Sequence, residues 1–138
     1  MRETIRAALA ADAALAATLT GGVYALRELT RQSAPGAFDA NSEILPCALV
    51  RVEAEAQHGP FTSTVALSAR SYVVVVFYQR DGFTAIDTAM ARVSALLHRS
   101  KLGAGTWEIT WADDSGDLED EGLGCSMRYS RYVMTRLR

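Results

Sequence analysis

Residues 71–78 read SYVVVVFY, a continuous run of β-branched and aromatic side chains. A run of this kind, without polar alternation, is typical of a central strand covered on both faces. The dipeptide Asp81-Gly82 then ends the strand. Residues 84–98 carry apolar side chains at helical spacing, with Asp87 early and basic residues late, where each charge complements the helix dipole. The centre of the chain therefore predicts a buried strand that leads into an amphipathic helix.

The N-terminal part predicts another helix and a long loop. Leucine, isoleucine and alanine recur at three- and four-residue steps over residues 4–19, and Gly21-Gly22 ends this helix. Residues 30–42 are rich in Ser, Ala, Gly, Asn and Pro, which predicts a loop. An irregular connection of this length is uncommon inside a compact domain and is often functional or mobile. We therefore expect this loop to contact a neighbouring molecule.

Four further stretches have the composition or the period-two alternation of strands. They cover residues 44–56, 61–67, 106–111 and 123–137. Successive strands with short connections favour a mostly antiparallel sheet, and two amphipathic helices of this size would cover one of its faces. We therefore predict a single α+β domain over residues 1–138, with the element order α-β-β-β-α-β-β.

The aromatic residues near the C-terminus have two interpretations. Trp107, Ile109 and Trp111 share one face of a predicted strand. In the last strand, Tyr129 lies on the apolar side, whereas Tyr132 falls among the polar residues. We expect Trp107, Trp111 and Tyr129 to face the core or a subunit interface. A stacking platform for single-stranded nucleic acid is the weaker interpretation, because few basic residues accompany these side chains.

The overall charge argues against a general nucleic-acid binder. Fourteen Lys and Arg residues against sixteen Asp and Glu residues give a formal net charge of -2, so any contact with DNA would be local. Cys47 and Cys125 share no metal-ligand spacing, which speaks against a zinc site and favours a reduced, cytoplasmic setting. Glu3, Arg6 and Asp12 interrupt the alanine-rich start, so we expect no signal peptide, and no stretch is apolar enough to span a bilayer.

The sequence offers few groups for catalysis. His58 lies in a Gly-Pro turn and His98 in the last turn of a predicted helix, where surface or capping roles explain them better than catalysis. The sequence contains none of the nucleophile, phosphate-binding or metal motifs that commonly accompany an enzyme. We therefore predict that the protein is not an enzyme, holds no metal and has no cofactor.

The acidic run DDSGDLEDEG at residues 113–122 invites a test for a calcium site. It does not fit the EF-hand loop, because its glycine comes too early. We interpret it as a solvated loop. An alternative is that this loop projects into a channel and repels the phosphates of DNA.

With its elements in this order, the chain resembles the tail terminator, or tail completion, proteins of long-tailed bacteriophages and related prophages, or a related head-tail connector protein. The resemblance covers nearly the whole chain and lies in layout more than in motif. It includes no catalytic or ligand signature. The residues that carry it are IRAALAADAALAATLTGGVYAL (5–26), PCALVRVEAEA (46–56), ARSYVVVVFYQRDGFTAIDTAMARVSALL (69–97) and RYSRYVMTRLR (128–138).

The resemblance implies a structural protein of the virion tail that is assembled in the host cytoplasm. It implies a ring, usually a hexamer, that caps the tail tube and joins it to the head. The implied partners are further copies of the chain, the major tail tube protein, a head-neck connector protein and DNA that passes through without sequence readout; no membrane is implied. The family's loops contact the tube, so the expected interface or lumen residues lie in the two loops described above: Thr30, Arg31, Gln32, Phe38, Asp39, Asp113, Asp114, Asp117, Glu119, Asp120 and Glu121.

Two other classes of function stay open at this stage. A small ligand-binding or adaptor module of α+β type would be monomeric or dimeric and would contain an apolar pocket. A small enzyme would need convergent polar groups that one sequence can hide, because a fold does not by itself dictate function.

Overall fold

The run at residues 71–78 lies in an inner strand of one seven-stranded sheet. The computed structural model describes residues 2–58, 68–102 and 107–137. In chain order the elements are α1 (Arg2–Ala10), α2 (Ala13–Thr18), β1 (Gly22–Tyr24), a 3₁₀ helix (Pro35–Ala37), β2 (Cys47–His58), β3 (Ser68–Gln79), α3 (Thr84–Leu97), β4 (Lys101–Leu102), β5 (Trp107–Asp114), β6 (Leu118–Asp120) and β7 (Cys125–Leu137).

The sheet has the strand order β1-β2-β3-β7-β5-β4, and β6 pairs with β7. Only the pairing of β1 with β2 is parallel among the described strands, and the other pairings are antiparallel. The predicted α+β class and mostly antiparallel sheet are confirmed, and the predicted element order is approximately right. The predicted strand at residues 61–67 lies outside the described residues.

Asp12 divides the predicted N-terminal helix into α1 and α2. Its backbone is extended, and its carboxylate accepts a hydrogen bond of 3.0 Å from the backbone N–H of Leu15, which caps α2. The same carboxylate binds Arg92 of α3, with an N–O distance of 2.7 Å. The helix ends at Thr18, shortly before the predicted glycine pair, and Gly22 has a φ of 95° that favours glycine. Residues 23–29 lack a clear period, so the sequence analysis missed β1.

The three helices cover one face of the sheet, which we call the helix face. Val73, Val75 and Phe77 of β3 are each 0% exposed there. They pack in one apolar cluster with helix residues that include Ile86 and Val93. Because the burial of an aliphatic or aromatic side chain contributes roughly 1.5–3 kcal/mol, this cluster is the main source of stability.

Residues 25–46 cover part of the opposite face, which we call the open face. Ala34 and Ala37 are buried in this segment and belong to a second apolar cluster with Leu49 and Tyr78 of the sheet. The segment is irregular, as predicted, and contains the 3₁₀ helix and one isolated bridge. It nevertheless packs onto its own sheet, because small side chains allow the backbone to approach the strands closely.

Five of the ten residues in the acidic run belong to strands of the sheet, so the prediction of a solvated loop over its whole length is wrong. Asp113 and Asp114 end β5, and β6 pairs with the start of β7. Ser115 bridges the gap between β5 and β6: its N–H donates to the Tyr129 carbonyl at 2.8 Å, and its hydroxyl accepts from the Tyr129 N–H at 2.9 Å. The Arg128 guanidinium donates to the Ser115 carbonyl at 2.8 Å. These contacts hold β5 and β6 along one side of β7.

The buried and the partly exposed faces of β7 are the reverse of what the sequence pattern predicts. Tyr132 is 1% exposed and packs with Met134 in the helix-face cluster, although its neighbours in the alternation are polar. Tyr129 lies on the open face, where it packs against the second cluster and remains half-buried. Trp111 is paired with Tyr132 and lies on the helix face, 43% exposed. Trp111 and Tyr129 therefore lie on opposite faces of the sheet.

Candidate interaction surfaces

The predicted interface residues in residues 30–42 form an ordered surface. The Arg31 guanidinium donates to the Ser42 carbonyl at 2.9 Å and lies 4.9 Å from the centre of the Phe38 ring. The Asp39 carboxylate accepts from the backbone N–H groups of Asn41 and Glu43, which closes a turn. The side chain of Thr30 is tied to Ser33, and Gln32 is exposed. Arg31, Gln32 and Asp39 thus present polar groups on the outer side of a packed segment.

Four of the six predicted acidic residues make hydrogen bonds or ion pairs within the molecule, and the weakest of these contacts joins Asp117 to the Arg128 guanidinium at 3.8 Å. Asp113 receives two hydrogen bonds of 2.7 and 2.6 Å from the Arg131 guanidinium. This hydrogen bonding holds the pKa of Asp113 below its ordinary value. Asp120 accepts from the Leu123 N–H at 3.0 Å, and Asp114 accepts two hydrogen bonds that are described below. Asp117, Glu119 and Glu121 are exposed.

A first cleft, the helix-face cleft, lies between α3 and β5. It encloses about 430 Å³ and is lined by Asp87, Met90, Ala91, Ser94, Trp111, Asp114 and Arg128.

Trp111 forms one wall of this cleft and is held from two sides. Its indole Nε1–H donates to Asp114 Oδ1 at 3.0 Å, and its backbone N–H donates to His98 Nδ1 at 3.0 Å. Asp114 Oδ1 also accepts from the Ser130 hydroxyl at 2.6 Å. The indole is therefore exposed and oriented at the same time.

A polar group lies buried next to the helix-face cleft. The Tyr132 hydroxyl has no hydrogen-bond partner within the described part of the chain. Ser94 and Ser130 lie close enough to influence its pKa, as does Asp114, but neither serine meets the geometry of a hydrogen bond with it. Burial is the main reason that the pKa of Tyr132 rises to about 12. The hydroxyl is thus neutral at physiological pH and can still accept or donate.

A second cleft, the open-face cleft, lies where residues 25–46 meet the sheet. It encloses about 390 Å³ and is bordered by three guanidiniums and two carboxylates. Arg27 and Arg51 make no hydrogen bond or ion pair within the described residues. A neighbouring groove of about 540 Å³ shares Arg51, Tyr78 and Asp120 with this cleft and extends along Val74 and Tyr129. The full lining of the open-face cleft is Arg27, Glu28, Leu29, Thr30, Arg31, Leu49, Arg51, Tyr78, Asp120, Gly122 and Leu123.

The sequence analysis found parts of these surfaces and missed others. It selected Thr30, Arg31 and Asp120, which line the open-face cleft, and Asp114, which lines the helix-face cleft. It did not select Arg27 or Arg51 and expected Trp111 to be covered by the core or by a subunit. Arg51 could have been found from the sequence, because a charged residue within an apolar strand indicates a sheet face that is not fully covered.

Groups with catalytic or metal-binding chemistry are sparse in the described residues. Cys47 and Cys125 are free and buried, and burial raises the pKa of each thiol to about 12. Within residues 2–58, 68–102 and 107–137, no cluster of three or more His, Cys, Asp and Glu side chains could hold a metal ion. His98 is exposed and accepts the Trp111 hydrogen bond described above. No helix in the described residues is long and apolar enough to cross a membrane.

Comparison with known proteins identifies a structural relative. No protein-family model matches the chain, and no curated protein sequence matches it. Its fold is similar to that of a chain in the structure of the virion of a native gene transfer agent particle, with a TM-score of 0.70. The match covers 100% of this chain and 95% of the other, at 16% sequence identity. At this identity the likeness establishes a shared fold along the entire length of the chain.

Proposed function

We propose that this chain is a structural protein of a phage-like virion. In this proposal it forms a ring, most simply a hexamer, that caps the tail tube and joins it to the head-neck proteins. DNA passes through the hole without sequence readout. The protein acts by assembly and catalyses no reaction.

The observation that carries the proposal is the full-length likeness to a chain of a gene transfer agent virion. The match covers 100% of this chain and 95% of the other. The layout of the sequence independently resembles tail terminator proteins. Two separate lines of argument thus support a place in a virion, one from sequence layout and one from the backbone.

The surface chemistry supports assembly over small-molecule binding. The helix-face cleft and the open-face cleft are bordered by charged side chains, whereas a small-molecule module would need a mainly apolar pocket. Trp111 is exposed and held in one orientation, and tryptophan is enriched among the residues that dominate protein interfaces. The chain's net charge of -2 suits a channel that lets DNA slide without binding it tightly.

The eleven residues in the two predicted interface segments are proposed as contacts with the tube or the neck. Gln32, Glu119 and Glu121 are the strongest of the set, because their exposed side chains make no hydrogen bond or ion pair within the described residues. Asp113, Asp114 and Asp120 also stabilise the molecule itself, so their replacement changes two properties at once.

The proposal is tested by measuring oligomeric state and particle assembly together. We expect size-exclusion chromatography with light scattering to detect a ring whose population rises with protein concentration, and electron microscopy to show a central hole. In a host that makes the particles, deletion of the gene should leave heads and tails that do not join, and the restored gene should rescue joining.

Other outcomes would contradict the proposal. Particles that join normally after deletion of the gene would exclude a role at the head-tail junction. A monomer that retains a stoichiometric small ligand in native mass spectrometry would instead favour the ligand-binding alternative.

A further inference from the structure

We propose that the helix-face cleft is a receptor for a guanidinium group and that its occupant is Arg27 or Arg51 of a second copy of this chain. The inference rests on the proposed ring and names the contact that closes it.

The receptor offers the groups that a guanidinium binds. Arginine stacks on the face of an indole through cation–π attraction, and Trp111 presents an exposed, fixed indole. Asp114 uses only Oδ1 for its two internal hydrogen bonds, so Oδ2 makes none within the described part of the chain. The charged groups lining the cleft are two carboxylates and one guanidinium, which leaves it negative.

A buried polar group next to the cleft gives an independent indication of a missing partner. A buried hydroxyl without a hydrogen bond costs free energy, so such groups usually mark a bound water or ligand. The Tyr132 hydroxyl, in a residue that is 1% exposed, is such a group, and it lies beside Ser94 and Asp114, which both line the cleft. A guanidinium carries five N–H donors in a fixed fork, so within the cleft it can donate to Asp114 and to Ser94 together, directly beside the buried Tyr132 hydroxyl.

The donor lies in the open-face cleft. Arg27 and Arg51 have no hydrogen-bond or ion-pair partner among the described residues, and they border the same cleft. Three guanidiniums against two carboxylates leave this cleft positive, so it complements the receptor.

The positions of donor and receptor match a head-to-tail contact. Arg51 lies on the open face of β2, near one end of the sheet, whereas Trp111 lies on the helix face of β5, near the other end. A molecule therefore cannot bring its own donor to its own receptor. A contact that joins two different surfaces of identical subunits is heterologous, and contacts of this type form a ring when the rotation between neighbouring subunits closes on itself.

The experiment uses variants that damage one side of the contact at a time. Trp111→Ala removes the receptor wall, and Ala91→Arg fills the cleft from an exposed position of α3 without altering Trp111. The double variant Arg27→Glu with Arg51→Glu reverses the donor charge. Matched controls are Leu118→Ala, which truncates another large exposed apolar side chain of the described residues, and Arg2→Glu, which reverses a charge elsewhere on the surface.

We expect light scattering to show that each receptor or donor variant needs at least about tenfold more protein than the wild type to assemble. The two controls should assemble like the wild type, and circular dichroism should show all variants folded. An equimolar mixture of Trp111→Ala with the donor variant should form dimers that grow no further, because the mixture contains one intact donor and one intact receptor per pair.

The possible failures are distinguishable. Rings that persist in both receptor variants, or a mixture that stays monomeric, would overturn this inference and leave the proposed ring standing. A wild-type protein that remains monomeric at every concentration would overturn the ring, and the inference with it.

Discussion

The two faces of the sheet are closed in different ways, and neighbouring residues of β3 show the contrast. Val73 and Val75 on the helix face are 0% exposed, whereas Val74 between them is only half-buried on the open face. Helices close the first face completely around these side chains, whereas an irregular segment covers only part of the second. The comparison teaches that stability is concentrated on one side of the sheet, which leaves the other side available for contacts.

Phe77→Ala offers the strongest test of this contrast. Phe77 is 0% exposed in the helix-face cluster, and truncation of a buried phenylalanine costs about 3–5 kcal/mol of unfolding free energy because it leaves a cavity. The matched control is Val74→Ala on the open face of the same strand, for which we expect less than about 1 kcal/mol. Urea unfolding followed by circular dichroism measures both. Equal losses would mean that the two faces contribute alike.

Ala37→Leu tests whether residues 25–46 are a packed layer. Ala37 belongs to this segment and is 0% exposed, and its carbonyl accepts a hydrogen bond from the Leu45 N–H. Three additional carbons at a close-packed position typically cost about 1–3 kcal/mol. Gln32→Leu in the exposed part of the segment is the control and should stay within about 0.5 kcal/mol of the wild type. A neutral Ala37→Leu would instead support the mobile loop that the composition suggests.

The ion pair between Asp113 and Arg131 on the open face predicts the smallest effect. The hydrogen bonds from Arg131 lower the pKa of Asp113 in the folded protein. The ion pair therefore stabilises the fold at pH values above the ordinary aspartate pKa of about 3.9. This stabilisation is lost as the pH falls through the lower pKa of the folded state. Both side chains are more than a third exposed, so screening by water limits the contribution to about 0–1 kcal/mol.

The measurement compares the thermal midpoints of the wild type and Asp113→Asn across pH. We expect the wild type to be the more stable at neutral pH, and the difference to shrink as the pH is lowered from about 5 to about 2. A difference that stays constant over this range would show that the carboxylate charge is not its source.

The elements with long, regular patterns could be predicted from the sequence. The uninterrupted run in β3 and the helical spacing in α3 are both found where they are expected. The short strands β1 and β6 could not, because three residues carry no measurable period and their pairing depends on distant parts of the chain. The N-terminal helix was predicted as one piece because the apolar spacing continues past Asp12, whereas the Asp12 carboxylate caps α2 and binds Arg92 of α3.

The candidate surfaces could be predicted only in part. The sequence singled out Asp114 and Arg31 because each lies in a conspicuous polar stretch. It could not join Asp114 to Ser94, or Arg27 to Arg51, because these pairs come together only when strands and helices pack. Nor could the sequence show that Trp111 is exposed while Tyr132 is buried. The alternation of side chains along a strand assigns residues to the two faces of the sheet, but it does not show which elements cover each face.

The α+β class, the buried β3 with its following helix and the lack of recognised catalytic motifs are all legible in the sequence alone, because these properties depend on local spacing and composition. Only the tertiary structure decided which sheet face is closed, where Trp111 points and which arginines share a cleft. Those properties depend on contacts between residues far apart in the chain. The free energy of hydrophobic burial is roughly proportional to the apolar area buried and does not depend on which residues bury it, so local sequence does not specify the partners.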